Sequence, residues 1–290
     1  CVSVSRTNAP NRAFQFGTAA ITAMSYQGIV LDVDGTVVQG PNPITGAAAG
    51  LRAVDDAGLR RVFCSNNPIE RPAAYEKRFA DAGFTVKESE VFTAGTITTD
   101  YLTNSHATDK VLLVGEAGLR EQLVDAGLSL TTDPRAADVV VGSLSRDFSY
   151  ETLCETIIAV DADTAFVGTD PDPVIPQDGP NRPGSGAIIH AMEGVVDRSV
   201  DVICGKPSAY ARETVLNYLD VPAENCLVVG DRLNTDIQLG TEAGMTTVLV
   251  TTGIADRSTV AASATTPEYV IDSLAELAAV IDGTAERYTE

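Results

Sequence analysis

Gly28-Ile-Val-Leu-Asp32-Val-Asp34-Gly-Thr36 joins an apolar run to two carboxylates two residues apart, followed by a glycine. The run reads as a strand buried on both faces, the pattern of a parallel sheet covered by helices. A side chain at the end of such a strand stands at the rim of the sheet, where open α/β folds place their ligands. In extended backbone Asp32 and Asp34 point the same way, because the strand period is two. Paired carboxylates there can hold a hard cation and divide nucleophilic from acid–base duty. From this stretch alone, an Asp-Gly turn closing an ordinary strand is an equal reading.

Outward from this stretch the chain alternates short β-rich runs with helical ones, which predicts a doubly wound parallel sheet, a Rossmann-like α/β fold. Strands are expected near 28–32, 60–64, 201–205, 225–230, 246–251 and 269–271. Helices are expected near 44–57, 69–83, 208–219, 235–243 and 273–282. Asp220 and Pro222 end one helix and Gly244 caps another.

Between 64 and 201 lies a second alternating set, with strands at Lys110–Val114, Ala137–Val141 and Thr164–Val167 and helices near 118–126 and 149–160. It reads as a smaller α/β domain inserted into the first: residues 26–95 and 200–290 form the core and 96–199 the insertion. The Pro-rich stretch Asp170-Pro-Asp172-Pro-Val-Ile-Pro-Gln-Asp-Gly-Pro180 reads as a functional loop within it. Residues 1–31 hold no Asp or Glu and Met24 just precedes the first strand, so residues 1–25 read as an extension outside the fold.

Three further apolar runs end in polar groups suited to phosphate chemistry. Val62-Phe-Cys64 runs into Ser65-Asn66-Asn67-Pro68, Val202-Ile-Cys204 into Gly205-Lys206-Pro207, and Cys226-Leu-Val-Val229 into Gly230-Asp231, with Asp236 following. Singly these read as a helix cap, a turn and a loop start. Jointly, at successive ends of one parallel sheet, they form a site.

A phosphate monoester carries close to two negative charges, so a carboxylate nucleophile needs cations to approach it. Asp32, Asp231 and the main-chain carbonyl of Asp34 supply oxygen ligands for Mg²⁺, and Lys206 a second positive charge. The Ser65 hydroxyl and the Asn66 and Asn67 amides would bind phosphoryl oxygens at a helix N-terminus. Asp32 would attack phosphorus to form an aspartyl-phosphate. Asp34 would protonate the leaving alcohol and later deprotonate water. Asp236 would steady Lys206 or a water on the metal.

These segments resemble the haloacid dehalogenase-like (HAD) phosphohydrolases, with Asp32-Val-Asp34-Gly35-Thr36, Ser65, Lys206 and Gly230-Asp231…Asp236 as the four motifs. The first two motifs are 33 residues apart and the second and third 141 apart. One βα unit accounts for about 40 of the latter, which leaves about 100 for an inserted cap. That spacing, with Ser-Asn-Asn-Pro, Gly-Lys-Pro-Ser and Gly-Asp-Arg-x-x-Thr-Asp-Ile, resembles the 4-nitrophenylphosphatase/NagD-like branch. The resemblance implies Mg²⁺-dependent hydrolysis of a small phosphorylated substrate, such as a sugar phosphate, phosphoglycolate or a nucleoside monophosphate. It also implies a homo-oligomer formed through the cap.

Two positions depart from that branch. Its cap loop commonly reads Asn-Pro-Asp, so Asp170 adds a carboxylate beside Asp172 near the leaving group. Asn234 takes a place that is often acidic, where it would contact metal-bound water. Pro183-Gly-Ser-Gly186 fits the end of the cap.

Other function classes fit less well. Val114-Gly-Glu-Ala-Gly118 lacks the GxGxxG of dinucleotide-binding folds. His106 and His190 lack ligand-like or triad-like settings. A non-catalytic interaction protein would have lost Asp32, Asp34 or Lys206. A HAD phosphomutase or phosphotransferase is chemically closer, and by resemblance those enzymes insert their cap between the first two motifs.

The 290 residues carry 40 acidic and 20 basic side chains, a net charge of −20, and only four lysines. Such a field repels nucleic acid and anionic membranes, which excludes both as expected partners. It also resembles the proteins of salt-accumulating halophiles, in which high ionic strength screens self-repulsion. The five cysteines form no CxxC pair and read as reduced residues of a cytoplasmic protein.

Overall fold

A computed structural model describes residues 26–176 and 179–289 and carries two parallel sheets. The extension expected over 1–25, with Cys1 and Met24, lies outside the described residues. The larger sheet has six strands, in the order Tyr269–Ile271, Thr246–Val250, Cys226–Gly230, Gly28–Leu31, Arg60–Ser65, Val91–Thr93. Numbered along the chain this is 6-5-4-1-2-3, the order of doubly wound nucleotide-binding sheets, and it reverses between Gly28–Leu31 and Cys226–Gly230.

Gly28–Leu31 is buried throughout. Ile29 and Leu31 pack on one face with Phe63, Leu227, Val229 and the helices Ala47–Asp56 and Leu277–Ile281. Val30 packs on the other face with Val62, Cys64 and Val228, as a period of two requires. Leu31 is in register with Phe63 on one side and Val229 on the other.

The second sheet has five parallel strands, in the order Val202–Ile203, Ala165–Gly168, Val139–Gly142, Lys110–Val114, Ser129–Leu130. Four of its strands come from the segment read as an insertion, and the fifth, Val202–Ile203, follows it. One apolar cluster runs from Val30, Val62 and Val228 of the first sheet through Ile97, Leu102 and Val215 to Val111, Val139 and Val167 of the second. The helices Ala94–Ser105 and Ala209–Leu219, which carry these linking residues, therefore mortar the two sheets together.

Helix boundaries follow local chemistry. Thr93, Ser149 and Ser208 each accept an amide hydrogen from three residues on, opening Ala94–Ser105, Tyr150–Ala159 and Ala209–Leu219. Asp220 (φ 48) and Gly244 (φ 77) close two helices in left-handed conformation, as expected.

One strand is misplaced by the sequence reading. Val202–Ile203, expected in the same sheet as Asp32, instead pairs with Ala165–Gly168 at the edge of the second sheet. It is two residues long and half buried, and a run so short does not encode which sheet it joins. Val91–Thr93, at the edge of the first sheet, has no counterpart among the expected strands; it is three residues long and runs straight into the helix that Thr93 caps. Among the described residues, no helix is long and apolar enough to cross a membrane, and Cys64, Cys154, Cys204 and Cys226 are free thiols.

Candidate active site

Asp32 and Asp231 leave the ends of the two adjacent strands at which the sheet order reverses. Switch points of this kind form a crevice beyond the strand ends, and here a cleft of about 920 Å³ opens there. Its floor includes Asp32, Asp34, Ser65, Asn66, Lys206, Asp231 and Asp236, and its roof Leu144, Phe148, Asp170, Asp172 and Ile188 from the insertion.

Lys206 is the centre of the floor. The chain leaves Val202–Ile203 and crosses to the first sheet at Cys204-Gly205, where the Asn66 side chain clamps it: Lys206 N–H donates to Asn66 Oδ1 at 2.8 Å, and Asn66 Nδ2 donates to the Lys206 carbonyl at 3.1 Å. The Lys206 ammonium is 2 % exposed. It donates to Asp32 Oδ1, Asp236 Oδ1 and the Cys64 carbonyl, each at 2.6 Å. Burial alone would pull its pKa down, but Asp236 and Asp32 outweigh that and hold it well above its usual value. Lys206 is therefore a buried cation that touches Asp32.

Asp32 accepts a second bond from the Thr36 hydroxyl at 3.1 Å. Asp231 accepts the Ile254 amide at 2.8 Å. Burial, then the charges of Asp32 and Asp236, push the Asp231 carboxyl well above the usual range. Burial pushes Asp236 up to about 6 against the pull of Lys206. A carboxylate oxygen from each of Asp32, Asp231 and Asp236 lies within 4.8 Å of the others.

Three carboxylates against one ammonium leave negative charge that a cation would neutralise, and an all-oxygen donor set fits a hard ion. Glycines make room for the arrangement: a Cβ at Gly35 or Gly253 would stand 2.5 or 1.8 Å from Asp231 Oδ2. The residues present thus fit a metal ion. Asp236, expected only as a supporting group, both pairs with Lys206 and joins this carboxylate cluster.

The Asp34 carboxyl is not part of this cluster and accepts a hydrogen bond from Arg78. It is half exposed, but the cleft walls desolvate it, and this burial raises its pKa against the pull of Arg78. Ser65 Oγ lies 3.0 Å from the Tyr75 hydroxyl and accepts the Asn67 amide at 3.2 Å. Asn67 Oδ1 accepts the amides of Ile69 and Glu70. This turn delays the next helix to Pro72–Asp81, so the Asn66 and Asn67 amides belong to a turn and not, as expected, to a helix N-terminus.

The insertion meets the floor through the loop after Ala165–Gly168. Asp172 pairs with Arg232 at 2.8 Å and accepts from Asn66 Nδ2 at 3.3 Å. Gly184 and Gly186 pack against this loop so closely that a Cβ on either would lie 2.3 Å from a carbonyl oxygen of Asp172 or Pro171. Asp170 is 2 % exposed. Burial, then the neighbouring charge of Asp172, pushes it up to about 7, so it brings less than a full charge to the cleft at neutral pH. Asn234 is exposed and does not line the cleft.

Sequence reasoning missed Arg78 and Arg232. The second follows Asp231 directly in a motif already marked, which is a usable signal. The first is an ordinary polar position on a helix and has none.

Two family models match the chain: haloacid dehalogenase-like hydrolase over residues 29–129 and HAD-hydrolase-like over 203–277. Mouse (Mus musculus) chronophin is 34% identical, covering 87% of this chain and 91% of its own. The 5'-nucleotidase YutF of Bacillus subtilis is 30% identical, covering 87% and 97%. The p-nitrophenyl phosphatase from Archaeoglobus fulgidus superposes with a TM-score of 0.82 at 29% identity, over 88% of this chain and 99% of that one. NagD from E. coli K-12 superposes at 0.78 with 28% identity, over 87% and 98%. A glycerol phosphate phosphatase from Mycobacterium tuberculosis, solved in complex with magnesium, superposes at 0.77 with 26% identity, over 88% and 78%. With its two parallel sheets, its four polar strand ends and these matches along nearly its whole length, the chain belongs to the haloacid dehalogenase-like hydrolases, in the branch of NagD and the p-nitrophenyl phosphatases.

Proposed function

We propose that this protein is a phosphatase that hydrolyses small phosphate monoesters through an aspartyl-phosphate on Asp32. The observation that carries the reading is the contact of buried, charged Lys206 with Asp32 at 2.6 Å beside two further carboxylates. A carboxylate so placed is oriented and shielded, and faces a cleft large enough for a small ester.

Asp32 attacks phosphorus, the bond from phosphorus to the ester oxygen breaks, and Asp34 passes its proton to that oxygen. Asp34 then takes a proton from water as the water attacks phosphorus, which releases inorganic phosphate and restores Asp32. Lys206, the Ser65 hydroxyl and the Asn66 amide bind phosphoryl oxygens, and the Asn67 amide joins them on releasing Ser65 Oγ. A Mg²⁺ held by Asp32, Asp231 and the Asp34 carbonyl would supply the charge that lets one anion approach another, and the magnesium complex of the M. tuberculosis relative supports that choice of ion. Gly35 gives the Asp231 carboxylate its space and Asp236 holds Lys206.

Residues 96–199 act in this reading as a cap over a core of 26–95 and 200–290, with Val202–Ile203 lending its pairing to the cap. Asp170 and Asp172 lie in the cap loop that faces the leaving group. Tyr150, Ile157 and Ile158 form an exposed apolar stripe on one cap helix, which supports association of two copies through the cap. Four free cysteines support a reducing, cytoplasmic setting.

Relatives named for nucleotides, p-nitrophenyl phosphate and glycerol phosphate define the first substrate panel. Phosphate release from these esters with Mg²⁺ is expected for the wild type, with Asp32→Asn as the blank. Release no faster than that blank on every ester would refute the reading.

A further inference from the structure

Arg78 lies on the helix Pro72–Asp81, outside the four motifs, yet its guanidinium lines the cleft. It donates to Asp34 Oδ1, and among the described residues no other side chain bonds to that carboxyl. The guanidinium is itself held from two more sides. Its second terminal nitrogen stands 3.8 Å from Glu70 Oε2, and its carbon lies 5.1 Å from the centre of the Tyr75 ring. Tyr75 is in turn fixed by its hydroxyl, 3.0 Å from Ser65 Oγ. A chain of contacts thus runs from Ser65 through Tyr75 and Arg78 to Asp34, with the Arg78 side chain only 17% exposed.

Asp34 stands just past the end of its strand, where a carboxyl swings about two torsions unless something holds it. Proton transfer needs it within hydrogen-bonding reach of one particular oxygen, and a misplacement of about 1 Å can cost about a hundredfold in rate. We infer that Arg78 is a positioning residue for this reaction: by holding Oδ1 of Asp34 it presents the other carboxyl oxygen to the leaving oxygen of the ester. The inference rests on the proposed roles of Asp32 and Asp34. As the bond from phosphorus to the ester oxygen breaks, its electron pair stays on that oxygen and the proton comes from Asp34. Arg78 neither gains nor loses a proton.

Leaving-group chemistry tests this apart from folding. p-Nitrophenolate departs as a stable anion, whereas an alkoxide needs the proton. The value of kcat/KM reports the steps through departure of the alcohol, so it is compared for p-nitrophenyl phosphate and glycerol phosphate in wild type, Asp34→Asn, Arg78→Ala and Arg78→Lys. Asp34→Asn should lose about a hundredfold or more on glycerol phosphate and clearly less on the aryl ester. Arg78→Ala should lower the ratio of alkyl to aryl activity by about tenfold or more, with partial recovery in Arg78→Lys, which keeps a donor without the fork. The aryl activity serves as the internal measure of an intact fold.

Equal loss on both esters in Arg78→Ala would make Arg78 a structural or phosphate-binding residue and overturn the inference. No loss on either would overturn it as well. If instead Asp34→Asn itself shows no leaving-group dependence, the acid role of Asp34 fails and the inference falls with it.

Discussion

Arg232 and Asp172 meet at 2.8 Å where the insertion closes on the floor of the cleft, with side chains 20% and 13% exposed. Arg232 follows Asp231, and Asp172 also accepts from Asn66, which clamps the main chain of Lys206. One carboxylate of the insertion is thereby tied to both segments that deliver charge to the floor. Asp172→Ala removes both ties and leaves a mostly buried guanidinium without its partner. A loss of about 1–3 kcal/mol is expected, read as a lower urea midpoint. The value of kcat/KM should fall on aryl and alkyl esters alike, because the floor and not the acid is disturbed. A loss confined to alkyl esters would contradict this.

The carboxylates of Asp32, Asp231 and Asp236, within 4.8 Å of one another, predict that Mg²⁺ stabilises the fold even without substrate. An ion present at about a hundred times its dissociation constant adds about 2.7 kcal/mol. The melting temperature should therefore rise on addition of MgCl₂ and not of NaCl at equal ionic strength. Asp231→Asn should abolish the rise. Gly253→Ala should blunt it, since its new Cβ would displace the Asp231 carboxylate. An unchanged response in Asp231→Asn would remove Asp231 from the binding set.

How much of this was legible in the sequence depends on the kind of signal. Asp32, Ser65 and Asp231 could be read because a buried parallel strand is a near-continuous apolar run, and its first polar residue falls at the sheet rim. Lys206 meets Asp32 even though its strand is not in the sheet the sequence suggests. Its strand, Val202–Ile203, belongs to the other sheet, and the chain crosses over at Gly205, where a Cβ would stand 2.8 Å from both Asn66 Oδ1 and the Thr169 carbonyl. Pairing partners of a two-residue strand are a tertiary property. Val91–Thr93 is hard to read for the same reason, being three residues long and running straight into the helix that Thr93 caps. Arg78 was illegible because its role depends on where a helix packs, and a cation three residues after Tyr75 looks like any solvated position.

Net charge predicts a salt response. With 40 acidic and 20 basic residues, and many of the basic ones already in surface pairs such as Arg60–Asp220 and Arg257–Asp272, the remaining carboxylates repel one another. Raising KCl from about 0.1 M to about 1 M shortens the screening length from about 10 Å to about 3 Å. The melting temperature is expected to climb over that range. A melting temperature that is flat or falls with KCl would remove the halophile reading.

Asp170 predicts a pH dependence of stability that one isosteric change erases. It is 2 % exposed, with Oδ2 3.1 Å from the Thr169 hydroxyl and Oδ1 accepting the Asp172 amide at 3.3 Å. Burial and the Asp172 charge raise it to about 7 in the folded chain, against about 3.9 for an unfolded Asp. Between those values the folded state holds more protons than the unfolded one, so stability falls as pH rises, by about 1.4 kcal/mol per unit at most. Above pH 7 the loss from this group is complete, and below pH 4 it is absent. Asp170→Asn keeps the shape and stays neutral. Its urea midpoint should match wild type in acid, pull ahead as pH rises toward 7, and hold a constant lead above that. A lead that does not change with pH would mean that Asp170 is charged throughout or that its burial is relieved in solution.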